Sequence, residues 1–367
     1  MISTLVIGLG GFGGQVVAKM KQRMIANNRK MDSYKFILLD RSSRELDDVC
    51  REGGIPGVQM RLGCPCGQYI LKHPDRENIR KWFPEGPAWF DATDADTGLR
   101  VLGRLAFLQA MEQGIGRRLE YMLAKAGIGQ NLRIVIVTSL AGGTGSGCFI
   151  QLAQLLRNRL YQHWGINPQI CGFFAGAEVF RWAGLPYSQM SNLRANAHGA
   201  LRELHWLTKV RLHAISPPKR IVLDHLMDSY KSEPLMTRAI FNQAYVYDAG
   251  EEAKKNHMTV QDHVKNMAES LYERYGSSAT GTIDALQKGK TQWNLGARVY
   301  VPLTEDVQGN RSRFADPDSA VECDELPMAQ VIRYITMYTR LCRKAMEAHE
   351  PGPHMDKQWP AWLMELW

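Results

Sequence analysis

Two kinds of apolar pattern alternate along the chain. Continuous or β-branched runs read as buried strands at 3–8 (STLVIG), 34–40 (YKFILLD), 132–140 (LRIVIVTSL), 168–180, 239–250 and 294–303. A further short strand is placed within 57–63. Apolar positions at helical spacing fall between these runs. Val16, Val17, Met20, Met24 and Ile25 mark a helix over 14–27, and others are expected over 99–113, 116–126, about 147–160, 191–207, 259–276 and 327–348, with a short one at 75–83. Strands that alternate with helices predict an α/β fold: a mostly parallel, Rossmann-like sheet with helices on both faces. Ligands of such sheets bind beyond the carboxyl ends of the strands.

Composition narrows the class. With 45% apolar and 22% charged residues, the 367-residue chain can bury a sizeable core without cross-links. The net charge of +8 suits an anionic ligand or a nucleic acid, and equally a solvated basic surface. No DNA-binding motif is present, so nucleic acid is not expected as the primary partner. Seven cysteines, an odd number at irregular spacing, point to a reduced, cytoplasmic protein. Cys64-Pro-Cys66 lacks the second pair that a zinc site needs. The first residues have no basic region or cleavage site of a signal peptide, and no apolar run reaches the length of a membrane span.

The chemistry lies in two glycine loops, each at the end of a strand and the start of a helix. The first, Gly8-Leu9-Gly10-Gly11-Phe12-Gly13, fits G-x-G-x-x-G, and Asp40 ends the next strand where a ribose-binding acid would stand. Alone, that pattern suggests an NAD-dependent oxidoreductase. The second, Gly142-Gly143-Thr144-Gly145-Ser146-Gly147, is unexplained by a single pyrophosphate cradle. Two backbone nests aimed at one crevice suit a longer phosphate chain, with Thr144 and Ser146 as hydroxyl donors and the helix N-terminus as a partial positive charge. No G-x-x-x-x-G-K-[ST] loop is present.

AGGTGSG at 141–147 resembles the signature loop of the tubulin/FtsZ superfamily of GTPases, and GLGGFGGQVV its first phosphate loop. LGRLAF at 102–107 is similar to the helix after the γ-phosphate loop, and RANAHGALREL at 194–204 to the helix with a base-contacting Asn. The likeness is to the bacterial tubulin-like proteins. It implies GTP or GDP with Mg²⁺ as ligands, held by Gly10, Gly11, Phe12, Gly13, Gly98, Gly142, Gly143, Thr144, Gly145 and Ser146. It implies base or ribose contacts from Gln15, Glu178 and Asn196, although Asn196 also reads as a helix-surface amide. It further implies head-to-tail self-association, with slow hydrolysis completed between subunits by an acid behind the central helix. Asp284 is the expected acid and Asp248 its competitor.

The chain departs from the family pattern in two places. The γ-phosphate loop, DATDADTG, carries Asp91, Asp94 and Asp96; either they help hold Mg²⁺, or the loop is solvated and points away. Arg100 and Arg104 beyond it either reach a phosphate or make local salt bridges. The chain divides into a GTP-binding domain (1–258, with an insertion near 211–250), the central helix, catalytic loop and strand (259–303), and a reduced C-terminal region (304–367). The aromatic stretch at its end either docks a protein partner or caps the core. A nucleotide-binding scaffold or switch with little hydrolysis is the alternative function.

Overall fold

The computed structural model describes residues 3–74, 76–80, 83, 98–125, 131–211, 241–249, 256–276 and 298–301. The strands are β1 (Ser3–Leu9), β2 (Tyr34–Asp40), β3 (Gly57–Gln59), β4 (Leu132–Ser139), β5 (Gln169–Ala175), β6 (Gln243–Tyr247) and β7 (Arg298–Val301). Among the described residues they form one sheet in the order β3-β2-β1-β4-β5-β6-β7. The first six run parallel and β7 pairs antiparallel with β6. The helices are α1 (Gly10–Ala26), α2 (Ser43–Gly53), α3 (Cys66–Lys72), α4 (Arg76–Arg80), α5 (Arg100–Glu112), α6 (Ile115–Lys125), α7 (Gly143–Trp164), α8 (Tyr187–Arg211) and α9 (Val260–Leu271). A π turn, Tyr272–Gly276, continues α9.

Side chains alternate across the strands, so each strand feeds two cores. Leu5, Ile7, Ile134, Ile136 and Phe174 pack on one face with α3, α5, α6, α7 and α8. Val6, Val135, Val137 and Phe173 pack on the other with α1, α2 and α9. All eight residues of β4 are buried, as a central parallel strand requires. Each of its fully buried Ile and Val side chains contributes about 1.5–3 kcal/mol relative to exposure.

The expected fold class holds: a mostly parallel sheet with helices on both faces. The chain runs outward from β1 through β2 to β3, then returns to the far side of β1 with β4. Strand order therefore reverses between β1 and β4, and the crevice of an open α/β sheet lies at the carboxyl ends of that pair. Both glycine loops leave from those two ends.

Some boundaries differ from the sequence reading. α1 begins at Gly10 and α7 at Gly143, four residues earlier than expected, because the loop glycines themselves form the first helical turns. α2 was not anticipated, since only Leu46, Val49 and Gly53 face the core along it. Its start is signalled by Ser42, which accepts from the Glu45 amide, and its end by Gly54 in a left-handed conformation. The range read as an insertion, 211–250, contains β6, a sheet strand. Residues 212–240, the helix expected at 327–348 and the final aromatic stretch lie outside the described residues.

Candidate functional site

Leu9 and Thr138 are paired at the ends of β1 and β4, and the Thr138 hydroxyl donates to the Leu9 carbonyl at 3.0 Å. From this seam α1 and α7 diverge. Gly10 turns the chain into α1 with φ of +68°, a conformation that L side chains rarely adopt. A Cβ at Gly10 would lie 3.6 Å from the Gly145 nitrogen, so the two loops are in contact. α5 enters from the side. A Cβ at Gly143 would fall 2.8 Å from the Leu99 nitrogen, and one at Gly147 would overlap the Arg100 carbonyl. Positions 143 and 147 are glycine because the backbones of α5 and α7 touch there.

Three helix N-termini thus converge: α1, α5 and α7. None of their N-cap residues, Leu9, Leu99 and Gly142, makes a side-chain capping bond, and none of the three helices has an acid in its first turn. α2 and α9 differ: Ser42 caps the first, and Thr259 with Asp262 forms a full capping box on the second. A helix start leaves four N–H groups without helical partners, so about a dozen donors gather around this crevice. Their aligned dipoles add partial positive charge. That arrangement is built for an anion with several oxygens.

The sequence-predicted residues fall into three groups. Gly10, Gly11, Phe12, Gly13, Gly142, Gly143, Thr144 and Gly145 stand in the two loops at the crevice. Phe12 lends only its backbone, since its ring is buried against Phe180 at 5.6 Å between centroids. Gly98 adopts φ of +80° with open space where a Cβ would stand, on the rim beside Gly143.

A second group is turned to other work. Ser146 is 1% exposed; its hydroxyl accepts from Arg100 Nε at 3.2 Å and faces the Asn196 carbonyl. The expected hydroxyl donor is therefore beneath the cradle instead of in it. Arg100 donates to the Ser146 carbonyl at 3.0 Å and forks onto Glu203, with Nη1–Oε1 at 3.0 Å and Nη2–Oε2 at 2.5 Å. Of its two expected roles, the local salt bridge is the one formed. Arg104 is buried, and burial pulls its pKa down to about 10 against the favourable field of Glu203. Asn196 donates to the Gly98 carbonyl at 2.5 Å and the Ala141 carbonyl at 2.9 Å, which makes it a strut between two loops. The Glu178 carboxylate, expected at the ribose, is buried and ion-paired with Arg194 at 2.8 Å and Arg181 at 3.5 Å. Asp248 is fully buried at the carboxyl end of β6, where it accepts from the Val179 and Ala249 amides. It braces the loop after β5 and stands at the same end as the phosphate loops. Fully buried, its carboxylate is not presented at the surface to another subunit in this fold.

The third group, Asp91, Asp94, Asp96 and Asp284, lies outside the described residues.

Sequence reasoning missed three features. Asp40, read there as a ribose ligand, instead accepts from the Thr144 hydroxyl at 2.9 Å. Burial raises its carboxyl from 3.8 to about 6, with the Glu45 charge adding to the rise and the Thr144 bond opposing it. Glu45 is the second feature: its carboxylate sits where a Cβ on Gly11 would be. The Ser42-x-x-Glu45 spacing, a capping signature, was the signal for it. The third is Gln261 of α9, whose amide donates to Gln15 Oε1 at 2.9 Å. No sequence signal links two residues so far apart. Asp40 and Glu45 make an acidic edge on a cradle otherwise made of N–H donors, a donor set that fits a polyanion carrying a hard divalent cation.

Among curated protein sequences none matches. Solved structures with a similar course include a GTPγS-bound protofilament of CetZ2 from Haloferax volcanii (14% identity, 78% of this chain and 64% of that one, TM-score 0.40). CetZ from Methanosaeta thermophila is similar at 14% identity over 80% of this chain and 57% of that one, TM-score 0.43. A GTPγS-form protofilament of TubZ from Bacillus thuringiensis serovar israelensis follows at 12% identity over 74% and 54%, TM-score 0.40. The chain spans between about half and two thirds of the length of these proteins. The family profile described as tubulin-like matches residues 5–336. That match covers most of the sequence, and the protein belongs to the tubulin-like family.

Proposed function

We propose that the protein binds GTP and GDP with Mg²⁺ in the crevice at the ends of β1 and β4, and self-associates head to tail in a nucleotide-dependent way. The observation that carries this reading is the convergence of three uncapped helix N-termini on one crevice. Family membership supplies the guanine preference. Gln15 and Gln261, bonded to each other at the start of α1 and α9, supply amide groups suited to a base edge. Asp40 and Thr144 are the groups placed to hold the cation, directly or through water; bound Mg²⁺ would neutralise the phosphates and the acidic edge together.

Hydrolysis in this reading is slow and is completed between subunits, as the family likeness implies. Asp284 remains the proposed acid. The proposed location is the cytoplasm; among the described residues no helix is long and apolar enough to cross a membrane.

Sedimentation velocity with GTPγS, GDP or no nucleotide, beside phosphate release at rising protein concentration, tests the function. Assembly with GTPγS and a specific activity that climbs with concentration are expected. A monomer in every nucleotide state, with activity independent of concentration, would leave a nucleotide-binding switch without assembly. The engagement of Arg100 with Glu203, away from the phosphate cradle, is the observation that favours this second reading.

A further inference from the structure

The loops that meet at the crevice are not equivalent. The Cβ direction of Gly145 points onto the Thr138 hydroxyl at the β1–β4 seam, with the Leu9 carbonyl 3.2 Å away, and that of Gly143 at Gly98 and Leu99. Two positions apart on a helix is about 200° around its axis. The first glycine loop and the α5 entry therefore flank the α7 N-terminus from opposite sides. A phosphate chain anchored between α1 and α7 extends toward the α5 entry only when it is long enough. Beside its backbone contact with α7, the α5 entry is tied through side chains to α8. Asn196 of α8 ties the Gly98 carbonyl to the Ala141 carbonyl, and Arg100 ties Ser146 of α7 to Glu203 of α8. These two contacts stand two turns apart on α8. Asn196 is 9% exposed, and the Arg100 and Glu203 side chains are 17% and 24% exposed.

We infer that Asn196 and Arg100 are positioning residues through which α8 registers whether a third phosphate occupies the crevice. The inference rests on the nucleotide reading above and deepens it. Neither side chain touches the ligand in this account. Asn196 fixes the Gly98–Leu99 peptide, whose amides and the α5 N-terminus behind it face the far end of the phosphate chain. Movement of that peptide toward or away from a third phosphate pulls directly on Asn196, and on Glu203 through Arg100. With a diphosphate, α1 and α7 hold the ligand and the α5 entry is not engaged.

The test is titration of the full chain, as wild type, Asn196→Ala and Arg100→Lys, with GTPγS and with GDP. Hydrogen exchange over α8 is followed in each state. Arg100→Lys keeps the charge but loses the two-pronged contact with Glu203, and its partly exposed position makes it the variant that decides the test if Asn196→Ala fails to fold. GTPγS affinity should fall about tenfold in either variant, with GDP affinity changed less than about twofold. Exchange over α8 should differ between GTPγS and GDP in the wild type and lose that difference in the variants. Equal losses for both nucleotides would make these residues merely structural and overturn the inference. So would unchanged affinities, or identical α8 exchange in the two wild-type complexes. Wild-type protein that binds neither nucleotide would instead overturn the nucleotide reading itself.

Discussion

The Thr144 hydroxyl donates to Asp40 Oδ1 at 2.9 Å, and this bond joins the signature loop to the end of β2. It places a buried carboxyl group at the edge of a cradle of N–H donors. Desolvation opposes the charge on Asp40, which is why the group titrates near 6 instead of 3.8. Each unit of such a shift corresponds to about 1.4 kcal/mol, so the ionised form costs the folded protein about 3 kcal/mol.

That cost gives a pH dependence with a definite sign. The folded pKa of Asp40 is raised, so its contribution is fully present below about pH 4 and is lost as pH rises through about 6. Asp40→Asn retains an acceptor for Thr144 and removes the titration. Urea unfolding without nucleotide or Mg²⁺ should show the variant gaining on the wild type by up to about 3 kcal/mol between pH 4 and 7. A constant difference across that range would mean that Asp40 is not strained by its charge.

Gly142 is the N-cap of α7, in extended conformation with φ of −72° and ψ of 164°, and a Cβ there would meet nothing closer than the Ser139 carbonyl at 4.0 Å. Gly142→Asp therefore gives α7 the side-chain cap it lacks. N-cap Asp exceeds Gly by a few tenths of a kcal/mol, and its charge favours the helix dipole further. The melting temperature should hold or rise while nucleotide affinity falls by a factor of about ten or more, since a carboxylate then occupies the anion cradle. Calorimetry and thermal melts on the same variant read both effects. Unchanged nucleotide affinity would place the ligand elsewhere.

Two glycine substitutions separate sterics from strain. A Cβ at Gly13 would overlap the Val137 carbonyl of β4, a backbone atom that cannot step aside. Gly98 has open space but a left-handed φ of +80°. Gly98→Ala should cost about 1–2 kcal/mol of stability. Gly13→Ala should cost more than that, because α1 must lift from the sheet. Chemical denaturation of both orders them, and the reverse order would contradict the packing described for α1.

Thr259 serves as a control. It starts α9 with a capping box, accepting from the Asp262 amide while the Asp262 carboxylate accepts from the Thr259 amide. Thr259→Ala should cost about 1 kcal/mol, read by chemical denaturation, and should lower nucleotide affinity no more than Gln261→Ala does, since the cap bears on the site only through Gln261.

The contrast between capped and uncapped helices also explains what the sequence made legible. The ends of β1, β2 and β4 were readable because continuous apolar runs stop abruptly at glycine or at Asp40. The α/β class followed from their alternation with helices, and the two loops from their composition. The direction of side chains within those loops was not readable. Ser146 and Thr144 share one motif, yet one turns under the cradle toward Arg100 and the other crosses to Asp40. Partners 46 and 104 residues away decide this, and periodicity carries no such information. Asn196 and Glu178 were expected, from the family resemblance, to contact base or ribose. In the fold both are buried and engaged with protein, Asn196 on two carbonyls and Glu178 on two arginines. α2 was overlooked for the opposite reason. Its capping signature at Ser42 and Glu45 was in view, but its thin apolar stripe was not counted as a helix.

The central claim is that three uncapped helix N-termini at the ends of β1 and β4 hold a guanine nucleotide. Calorimetric titration of the full chain in Mg²⁺ buffer with GTP, and with ATP and NAD in parallel, tests it most directly. Saturable binding of GTP at one site per chain, with ATP and NAD much weaker, is the predicted result. Binding of NAD without GTP, or of none of the three by folded protein, would contradict it.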